Sequence, residues 1–435
     1  MSDRPPIEPT IANVPVEQLT EPRRVITTPV SWRVAFAALR HRNFRLFFAG
    51  QGISLVGTWM HSVALGWLVY EVTRSTLTLG FVSFLSALPV TIFAVVGGNL
   101  ADRVSKRRIL IWTQVGSLVL ALMLGTLVWL GNMPIWQIAA IGILLGTAHA
   151  FDIPARQSFV VEMVGKADLM NAIALNSSLF NTARVLGPAL AGVLISTIGA
   201  AGCFWLNGLS YFAVIASYLW MRLPTPSAPV QHSSVWEGTQ IAMQYIRQHG
   251  PVRRILMLMA VCSLFGFQYT TLLPVFTRDI LHGDARMLGF LTSANGAGAL
   301  TGAMLLASFG HRLPRRTIFP LSLTAWSMAS VVFAYSTSVW LSAAMLVLAG
   351  IAFIVGMGSA NTLVQLSVPD ALRGRVMGVY TMAFLGVAPF GALLLGAAAN
   401  LWGAPLAIAA GMTICLLAAL SQLRTRAPDN PANLN

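Results

Sequence analysis

The sequence predicts an all-α membrane protein, with twelve transmembrane helices in two pseudo-symmetric six-helix bundles. The first observation is composition: 56% of the 435 residues are hydrophobic and only 10% are charged, whereas soluble domains carry about 25% charged residues. The second is a series of apolar segments long enough to cross a bilayer. The third is an internal repeat that divides these segments into two sets of six.

Twelve segments reach the length of roughly 20 apolar residues that a helix needs to cross a hydrocarbon core of about 30 Å. Their predicted positions are 46–70, 76–100, 109–130, 136–157, 171–197, 202–222, 254–277, 287–309, 317–337, 340–362, 376–398 and 404–422. Apolar runs of this length and number predict an integral membrane protein that crosses the bilayer many times.

Two features recur in the two halves of the chain. Residues 310–316 form a basic cluster after the eighth segment, as residues 102–108 do after the second, and mid-helix prolines follow acidic residues at Pro188 and Pro389. Repeats with six spans each predict parallel halves related by an axis along the membrane normal. The predicted division is a tail at 1–43, an N-terminal bundle at 44–222, a linker at 223–253 with an amphipathic helix at 236–248, a C-terminal bundle at 254–422 and a tail at 423–435.

The formal charge of +14 would suit nucleic acid, but the positions of the charges indicate a membrane topology instead. With the N-terminus in the cytoplasm, most basic residues fall in cytoplasmic loops and tails, whereas Arg74, Arg278 and Arg286 fall outside. This is the positive-inside asymmetry of membrane proteins. It predicts that both termini are cytoplasmic and that nucleic acid is no partner. Residues 1–43 lack an apolar core, so we expect a tail rather than a signal peptide.

A short basic segment between the second and third spans is the strongest clue to function. Residues 98–108 include Gly98, Asp102, Arg103, Arg107 and Arg108. The order of glycine, Asp-Arg pair and terminal arginines resembles the loop between the second and third helices of the major facilitator superfamily of transporters. Ser105 stands where many members have a second glycine. The alternative is a cytoplasmic turn whose basic residues only set the orientation.

This resemblance implies a conformational switch. In the outward-open state, Asp102 would hold the cytoplasmic ends together by accepting hydrogen bonds near the start of the eleventh span, where helix-terminal donors favour an anion. It would also pair with Arg156. Arg103, Arg107 and Arg108 would hold the segment at the lipid headgroups and set the topology.

Further motifs narrow the resemblance to one branch of the superfamily. The segments concerned are 57–60, 64–70, 152–157, 171–176 and 184–192 in the N-terminal half and 370–376 in the C-terminal half. They look like the enterobactin-exporter-like branch of bacterial efflux proteins. The resemblance implies proton antiport across the bacterial cytoplasmic membrane and export of a siderophore, drug or other metabolite.

Ionisable groups within the spans are few, and each costs roughly 2.5 to 3.5 kcal/mol on insertion scales. Asp152 and Arg156 lie near the cytoplasmic end of the fourth span, where His149, Asp152 and Arg156 share one helical face. Two explanations fit equally: a structural ion pair near the interface, with the arginine reaching towards water, or a role in proton coupling.

Arg184 is the deepest charge in the chain, within the fifth span. Ser177, Asn181, Arg184 and Pro188 recur at helical spacing and make one polar face. An arginine without a partner is untenable in hydrocarbon, so this face must meet water, an acidic neighbour or substrate. The preceding antiparallel helix offers Asp152, which we expect to be the partner, either structurally or in coupling.

His61 lies near the middle of the first span and is either a simple hydrogen-bonded histidine or a proton carrier, because imidazole titrates near neutrality. Other polar residues are candidates for the lining of a central cavity or for packing hydrogen bonds between helices. They are Gln51, Gln268, Tyr269, Thr292, Asn295, Asn361 and Gln365. A cavity with one arginine, amides and aromatic residues suits an amphipathic molecule that is neutral or anionic.

Among function classes, these features favour a secondary transporter that works by alternating access as a monomer, with a small-molecule substrate, protons and the lipid bilayer as partners. The sequence has no phosphate-binding loop and no hydrolase motif, which argues against an ATPase or an intramembrane enzyme. Nothing resembles a channel filter. Cys203, Cys262 and Cys415 are too scattered for a metal site or disulfides, so we expect neither metal nor cofactor. The alternative function is uptake of a small polar solute.

Overall fold

The computed structural model describes residues 36–131, 133–222, 235–310, 312 and 314–424, and all regular structure in this part of the chain is helical. A short 3₁₀ helix, Ala37–Arg40, precedes the first long helix. The long helices are α1 Arg42–Thr73, α2 Thr76–Arg103, α3 Lys106–Trp129, α4 Ile135–Val164, α5 Leu169–Trp220, α6 Val235–Gln248, α7 Gly250–Ile280, α8 Ala285–Phe309, α9 Arg315–Ala334, α10 Val339–Ser367, α11 (Asp370–Thr381, Met382–Gly386 and Ala388–Trp402) and α12 Ala404–Arg424.

Eleven of these described helices are long and apolar enough to cross a membrane. One of them, α5, has 52 residues and would be about 78 Å long if it were straight, more than twice the thickness of a hydrocarbon core. Gly199 breaks it with φ +74° and ψ 173°, a conformation open to glycine because it has no Cβ. The break leaves a first arm, 169–198, and a second arm, 200–220. These arms match the predicted fifth and sixth spans, so the break supports the prediction of twelve crossings.

The basic segment after the second span is mostly helical, which corrects the expectation of a loop. The helix α2 continues to Arg103 and α3 begins at Lys106, so only Val104 and Ser105 lie between them. The backbone N–H of Val104 still donates to the carbonyl of Leu100. The helix continues past the apolar run because no proline interrupts it and each added residue satisfies one more backbone hydrogen bond.

Two helices are irregular at places where the sequence predicted ordinary spans. In α7, two π turns, Cys262–Gly266 and Phe276–Ile280, flank the 3₁₀ segment Phe267–Leu272. In α11 the π turn Met382–Gly386 precedes Pro389. The irregular parts touch each other, since the Ser263 hydroxyl donates to the carbonyl of Phe384. Prolines and π turns both interrupt the regular hydrogen-bond ladder and often occur at functional sites.

The helices pack mainly in two sets, one from α1 to α5 and one from α7 to α12. The principal contacts between the sets are α2 with α11 and α5 with α8. This pattern supports the division into two six-helix bundles, which stays a prediction. We call the end of the helices at which α1 begins and α2 ends the basic end, and the opposite end, at which α1 ends and α2 begins, the far end.

The linker contains the helix that the sequence predicted. The helix α6, Val235–Gln248, packs at the basic end against the beginnings of α7 and α11. Its Ala242 and Ile246 are buried, while Tyr245 donates a hydrogen bond of 2.9 Å to the carbonyl of Ser367 in α10. One face is therefore apolar and covered, as expected for an amphipathic helix.

Candidate functional site

A cavity of about 440 Å³ lies between the two sets of helices. It is at mid-height, because Trp59 and His149 in its wall stand near the middle of α1 and α4. Besides α1 and α4, the helices α2, α7 and α8 contribute to the wall. The hydroxyl residues of the whole wall are Ser62, Ser83, Ser86, Thr270, Thr271 and Thr292. Apart from Trp59 and His149, the other residues of the wall are aliphatic. Of the described residues in this wall, His149 alone has a titratable side chain.

Polar contacts join α1 to α7 at the far end. The Tyr70 hydroxyl donates to the carboxylate of Asp279. A guanidinium nitrogen of Arg74 lies 3.9 Å from the same carboxylate. The guanidinium of Arg278 lies 5.9 Å from the centre of the Trp67 ring, within the range of a cation–π interaction. We call Tyr70, Arg74 and Asp279 the far-end latch.

Glycines bring the two sets of helices into backbone contact at the same end. A Cβ on Gly80 of α2 would lie 2.9 Å from the Cα of Gly396 in α11. A Cβ on Gly289 of α8 would lie 2.5 Å from the carbonyl oxygen of Pro188 in α5. Thr76 also donates to the carbonyl of Gly396 over 3.1 Å. These approaches exclude any larger residue and close the far end.

Between described residues, the hydrogen bonds that join the two sets lie either at the far end or midway along the helices. Midway, Thr91 of α2 donates to the carbonyl of Gly386 over 3.4 Å, and Ser293 of α8 donates to the carbonyl of Val185 over 2.8 Å. A second cavity, of about 580 Å³, opens between α8, α9, α10 and α11 towards the basic end. Asn361 is in its wall. The second cavity lies within the second set, and among the described residues the hydrogen bonds between the sets are confined to the far end and to mid-height.

Asp152 is the centre of a polar cluster inside the first set. Its side chain is buried. One carboxylate oxygen accepts hydrogen bonds of 2.9 Å from Gln114 and 3.3 Å from Thr113, and the other lies 3.3 Å from the Arg156 guanidinium. Arg156 also donates to the side-chain oxygen of Gln51 over 3.2 Å. The predicted Asp152–Arg156 pair is thus formed, and α1 and α3 supply the neutral partners that complete it.

Arg184 does not pair with Asp152 in this structure, which corrects the expected partnership. Its guanidinium donates to the side-chain oxygen of Asn295 in α8 over 3.1 Å and lies 5.8 Å from the centre of the Trp59 ring. Asn295 in turn donates to the hydroxyl of Tyr269 over 2.7 Å. The reason is that the first arm of α5 presents this face to α8, while Arg156 already compensates Asp152. Arg184 therefore lies at the junction of the two sets.

His61 is buried and lies outside the cavity wall. The centres of its ring and the Phe204 ring are 4.8 Å apart in an edge-to-face arrangement. Among the described residues neither ring nitrogen of His61 has a hydrogen-bond partner. His149 differs, because it is half-buried and lines the cavity. From the sequence, His61 was a candidate proton carrier, whereas His149 was only one residue of the helical face that it shares with Asp152 and Arg156.

Asn181 and Gln268 make short local hydrogen bonds. The Asn181 amide donates to the carbonyl of Ser177 one turn earlier, over 2.8 Å. Gln268 accepts from Thr271 over 3.4 Å within the 3₁₀ part of α7. Thr271 is in the cavity wall, whereas Gln268 is not among the residues that line it.

The switch residues lie at the basic end of α2 and α3. Gly98 and Asp102 are in the last two turns of α2, and the side chain of Asp102 is outside the described part. Arg103, the last residue of α2, is exposed, and so is Arg108 in the first turn of α3. Arg107 donates to the carbonyl of Leu219 over 2.8 Å, which ties α3 to the end of the second arm of α5.

The register of α2 and α4 places Asp102 and Arg156 at the same height. These helices run parallel and touch where a Cβ on Gly97 would lie 2.5 Å from the carbonyl oxygen of Ala150. Asp102 and Arg156 follow this contact by five and six residues, a rise of about 8 to 9 Å on each helix. Gln114 was missed in the sequence, and Asn295 was named only as a candidate for the cavity lining or a packing hydrogen bond, because partners across helices depend on tertiary register.

Several characterised proteins resemble this chain over most of its length. The staphyloferrin A transporter of Staphylococcus aureus is 25% identical over 362 residues, 82% of this chain and 90% of the relative. The multidrug efflux pump Tap of Mycolicibacterium fortuitum is 25% identical, over 85% and 88% of the two chains. The enterobactin exporter EntS of Citrobacter koseri is 25% identical, over 92% and 97%.

Solved structures share the fold at low sequence identity. The nucleoside transporter NupG has a TM-score of 0.69 over 89% of this chain and 98% of its own, with 13% identity. A bacterial homologue of the lysosomal transporter Spinster has a TM-score of 0.67 over 92% and 100%, with 14% identity. Residues 33–435 match the family described as transmembrane secretion effector. The chain is therefore a multi-pass membrane transporter, not an enzyme, and belongs to the transmembrane secretion effector family of the major facilitator superfamily.

Proposed function

We propose that this transporter exports a small amphipathic molecule across the bacterial cytoplasmic membrane by alternating access, coupled to an inward flow of protons. The observation that carries the proposal is a mid-height cavity between two sets of helices whose described hydrogen bonds to each other lie at the far end and at mid-height. Such a cavity is open to one side of a membrane at a time if the two sets rock about it.

The orientation follows from charge. Short cytoplasmic loops of membrane proteins are rich in Lys and Arg, so the basic end faces the cytoplasm and the far end faces outwards. Both termini are then cytoplasmic. With this orientation the conformation described here is inward-facing, and the far-end latch with the contacts Gly80–Gly396 and Gly289–Pro188 forms the outer gate.

The outward-open state requires a lock at the basic end. Continuing the antiparallel register in which Gly80 meets Gly396 and Thr91 meets Gly386 places Asp102 level with Arg375 in the first turns of α11. Closure brings the carboxylate to this arginine and to the free backbone N–H groups of the helix start, both of which favour an anion. Arg156, at the same height as Asp102 on α4, is its second partner.

The cavity wall indicates the class of cargo. It combines aliphatic groups and Trp59 with six small hydroxyls and has no carboxylate among its described members. Such a wall suits a molecule with both apolar and hydrogen-bonding groups and offers no anion to a cationic drug. The names of the relatives include two siderophores, enterobactin and staphyloferrin A, and we infer a neutral or anionic siderophore-like cargo.

Inverted membrane vesicles test the function, since their cytoplasmic face is outside. We expect vesicles with the protein to accumulate enterobactin or staphyloferrin A faster than vesicles without it when respiration builds a pH gradient. Nigericin, which collapses that gradient, should abolish the difference. Accumulation by right-side-out vesicles instead would indicate uptake, and flux of neither probe in either orientation would refute the cargo class.

A further inference from the structure

We propose that His149 carries the coupled proton, and that the position of Arg156 decides in which state His149 holds it. This inference rests on the proposed function and adds to it the group that couples export to the proton gradient. Its basis is the placement of one imidazole in the cavity wall, three residues from a buried carboxylate whose charge the Arg156 guanidinium compensates.

A coupled proton must exchange with water on each side of the membrane in turn, so its carrier has to face the cavity that opens to each side. His149 does so, next to Ser62 and Ser86. Asp152 is 4% exposed and its oxygens are occupied by three donors, and His61 is 8% exposed against Phe204. Neither of these meets cavity water.

Two groups of opposite charge, Asp152 and Arg156, lie near His149. The titratable groups near it are Asp152 and Arg156 on α4, His61 on α1 and, around Asp152, Tyr211 and Tyr218 on the second arm of α5. Among described residues, α3 contributes the neutral Thr113 and Gln114 to this cluster, and α2, α7 and α8 contribute hydroxyl and apolar groups to the wall. The balance between Asp152 and Arg156 therefore sets the local charge.

The switch changes this balance. In the inward-facing structure Arg156 lies 3.3 Å from Asp152, so the carboxylate is compensated and a protonated His149 has no free anion beside it. When the basic end closes, Arg156 turns to Asp102 at the same height, and Asp152 is left to stabilise the imidazolium. A nearby anion favours the protonated imidazole and a nearby cation disfavours it.

The proton cycle follows from these two states. In the outward-facing state a free ring nitrogen of His149 accepts a proton from water on the far side. In the inward-facing state Arg156 returns to Asp152, and the same nitrogen releases the proton to water on the basic side. One proton enters for each cycle that carries cargo out, and no other bond is made or broken.

Spin labels test the inference without any cargo. Met170 and Leu366 lie at the basic end in different sets of helices and are 78% and 74% exposed, and the three native cysteines are buried. In the full-length protein with Met170→Cys and Leu366→Cys, we expect the label distance to shorten as the pH falls, in a transition with a midpoint that depends on His149. Low pH favours the state that binds the proton.

His149→Gln should make this distance independent of pH over the range in which the parent changes, because glutamine does not titrate. His149→Glu should shift the midpoint away from the wild-type value, because a carboxyl group then replaces the imidazole and burial acts on the two groups in opposite directions. The matched control is His249→Gln, which changes an exposed histidine at the start of α7 and should keep the wild-type midpoint. His61→Gln should keep it as well.

An unchanged midpoint in His149→Gln, or its loss in His61→Gln, would overturn the inference. If the glutamine variant does not fold, the glutamate variant decides, and an unshifted midpoint there has the same meaning. Enterobactin counterflow separates the two proposals. A wild-type protein that catalyses no counterflow but titrates through His149 refutes only the cargo, whereas a transporting protein whose His149→Gln variant still accumulates enterobactin against a gradient refutes only the coupling site.

Discussion

Removing one hydroxyl from the far-end latch should open the outer gate. Tyr70 is 4% exposed and donates to the Asp279 carboxylate, and a hydrogen bond to a charged group contributes about 1.5 to 3 kcal/mol. The Arg74–Asp279 pair, at 3.9 Å with side chains 50% and 46% exposed, adds little because solvent screens it. Tyr70→Phe should therefore lower the ratio of molecules whose far end is closed to molecules whose far end is open by about 13- to 160-fold.

The opening is measured as a distance between spin labels at the far end. Val72→Cys in α1 and Trp340→Cys in α10 replace residues that are 59% and 77% exposed. We expect a longer distance in Tyr70→Phe than in the parent. Tyr335→Phe, the same chemical change at a tyrosine 61% exposed at the far end of α9, is the control. Equal distances in the parent and Tyr70→Phe, or equal lengthening by the control, would refute the latch.

Three other substitutions test the proposed cycle. Asp102→Asn should leave the amount of protein in the membrane near normal and lower enterobactin export sharply, and normal export would disprove the lock at the basic end. Arg107→Ala should reduce export more than Arg315→Ala, because the second basic cluster lacks the carboxylate of the first; equal and severe losses would contradict this. Gly289→Ala should hold the far end open, because its Cβ would lie 2.5 Å from a backbone oxygen, whereas Gly116→Ala, which meets nothing within 4 Å, should not.

Composition and apolar length were sufficient to predict the helical membrane fold. The two features depend only on local sequence, since each span must satisfy its own backbone hydrogen bonds in hydrocarbon. The amphipathic helix Val235–Gln248 could be predicted because its apolar periodicity is also a local feature of the sequence. The π turns of α7 and α11 were not, although Pro274 and Pro389 lie near them, because the packing of neighbouring helices decides how a proline is accommodated.

Polar partners within one helix were predictable and those across helices were not. Asp152 and Arg156 are four residues apart and meet on one face of α4 whatever the rest of the fold does. The choice of Asn295 for Arg184 depends instead on the register of α5 against α8, which Gly192 and Gly289 fix by close backbone approach. No pattern in a single segment contains that register.

The nature of these partners suits a moving interface. Breaking a buried ion pair by removing one partner leaves an uncompensated charge and costs about 3 to 5 kcal/mol, which would oppose any switch that separates the two sets of helices. At mid-height, two of the described hydrogen bonds between the sets join a hydroxyl to a backbone carbonyl, and the third joins the Arg184 guanidinium to the neutral amide of Asn295, so none of the three is an ion pair. The buried ion pair of Asp152 and Arg156 lies within the first set, and in the proposed cycle Arg156 exchanges Asp152 for Asp102. The two states can then differ by little in free energy, so that a single proton on His149 is sufficient to choose between them.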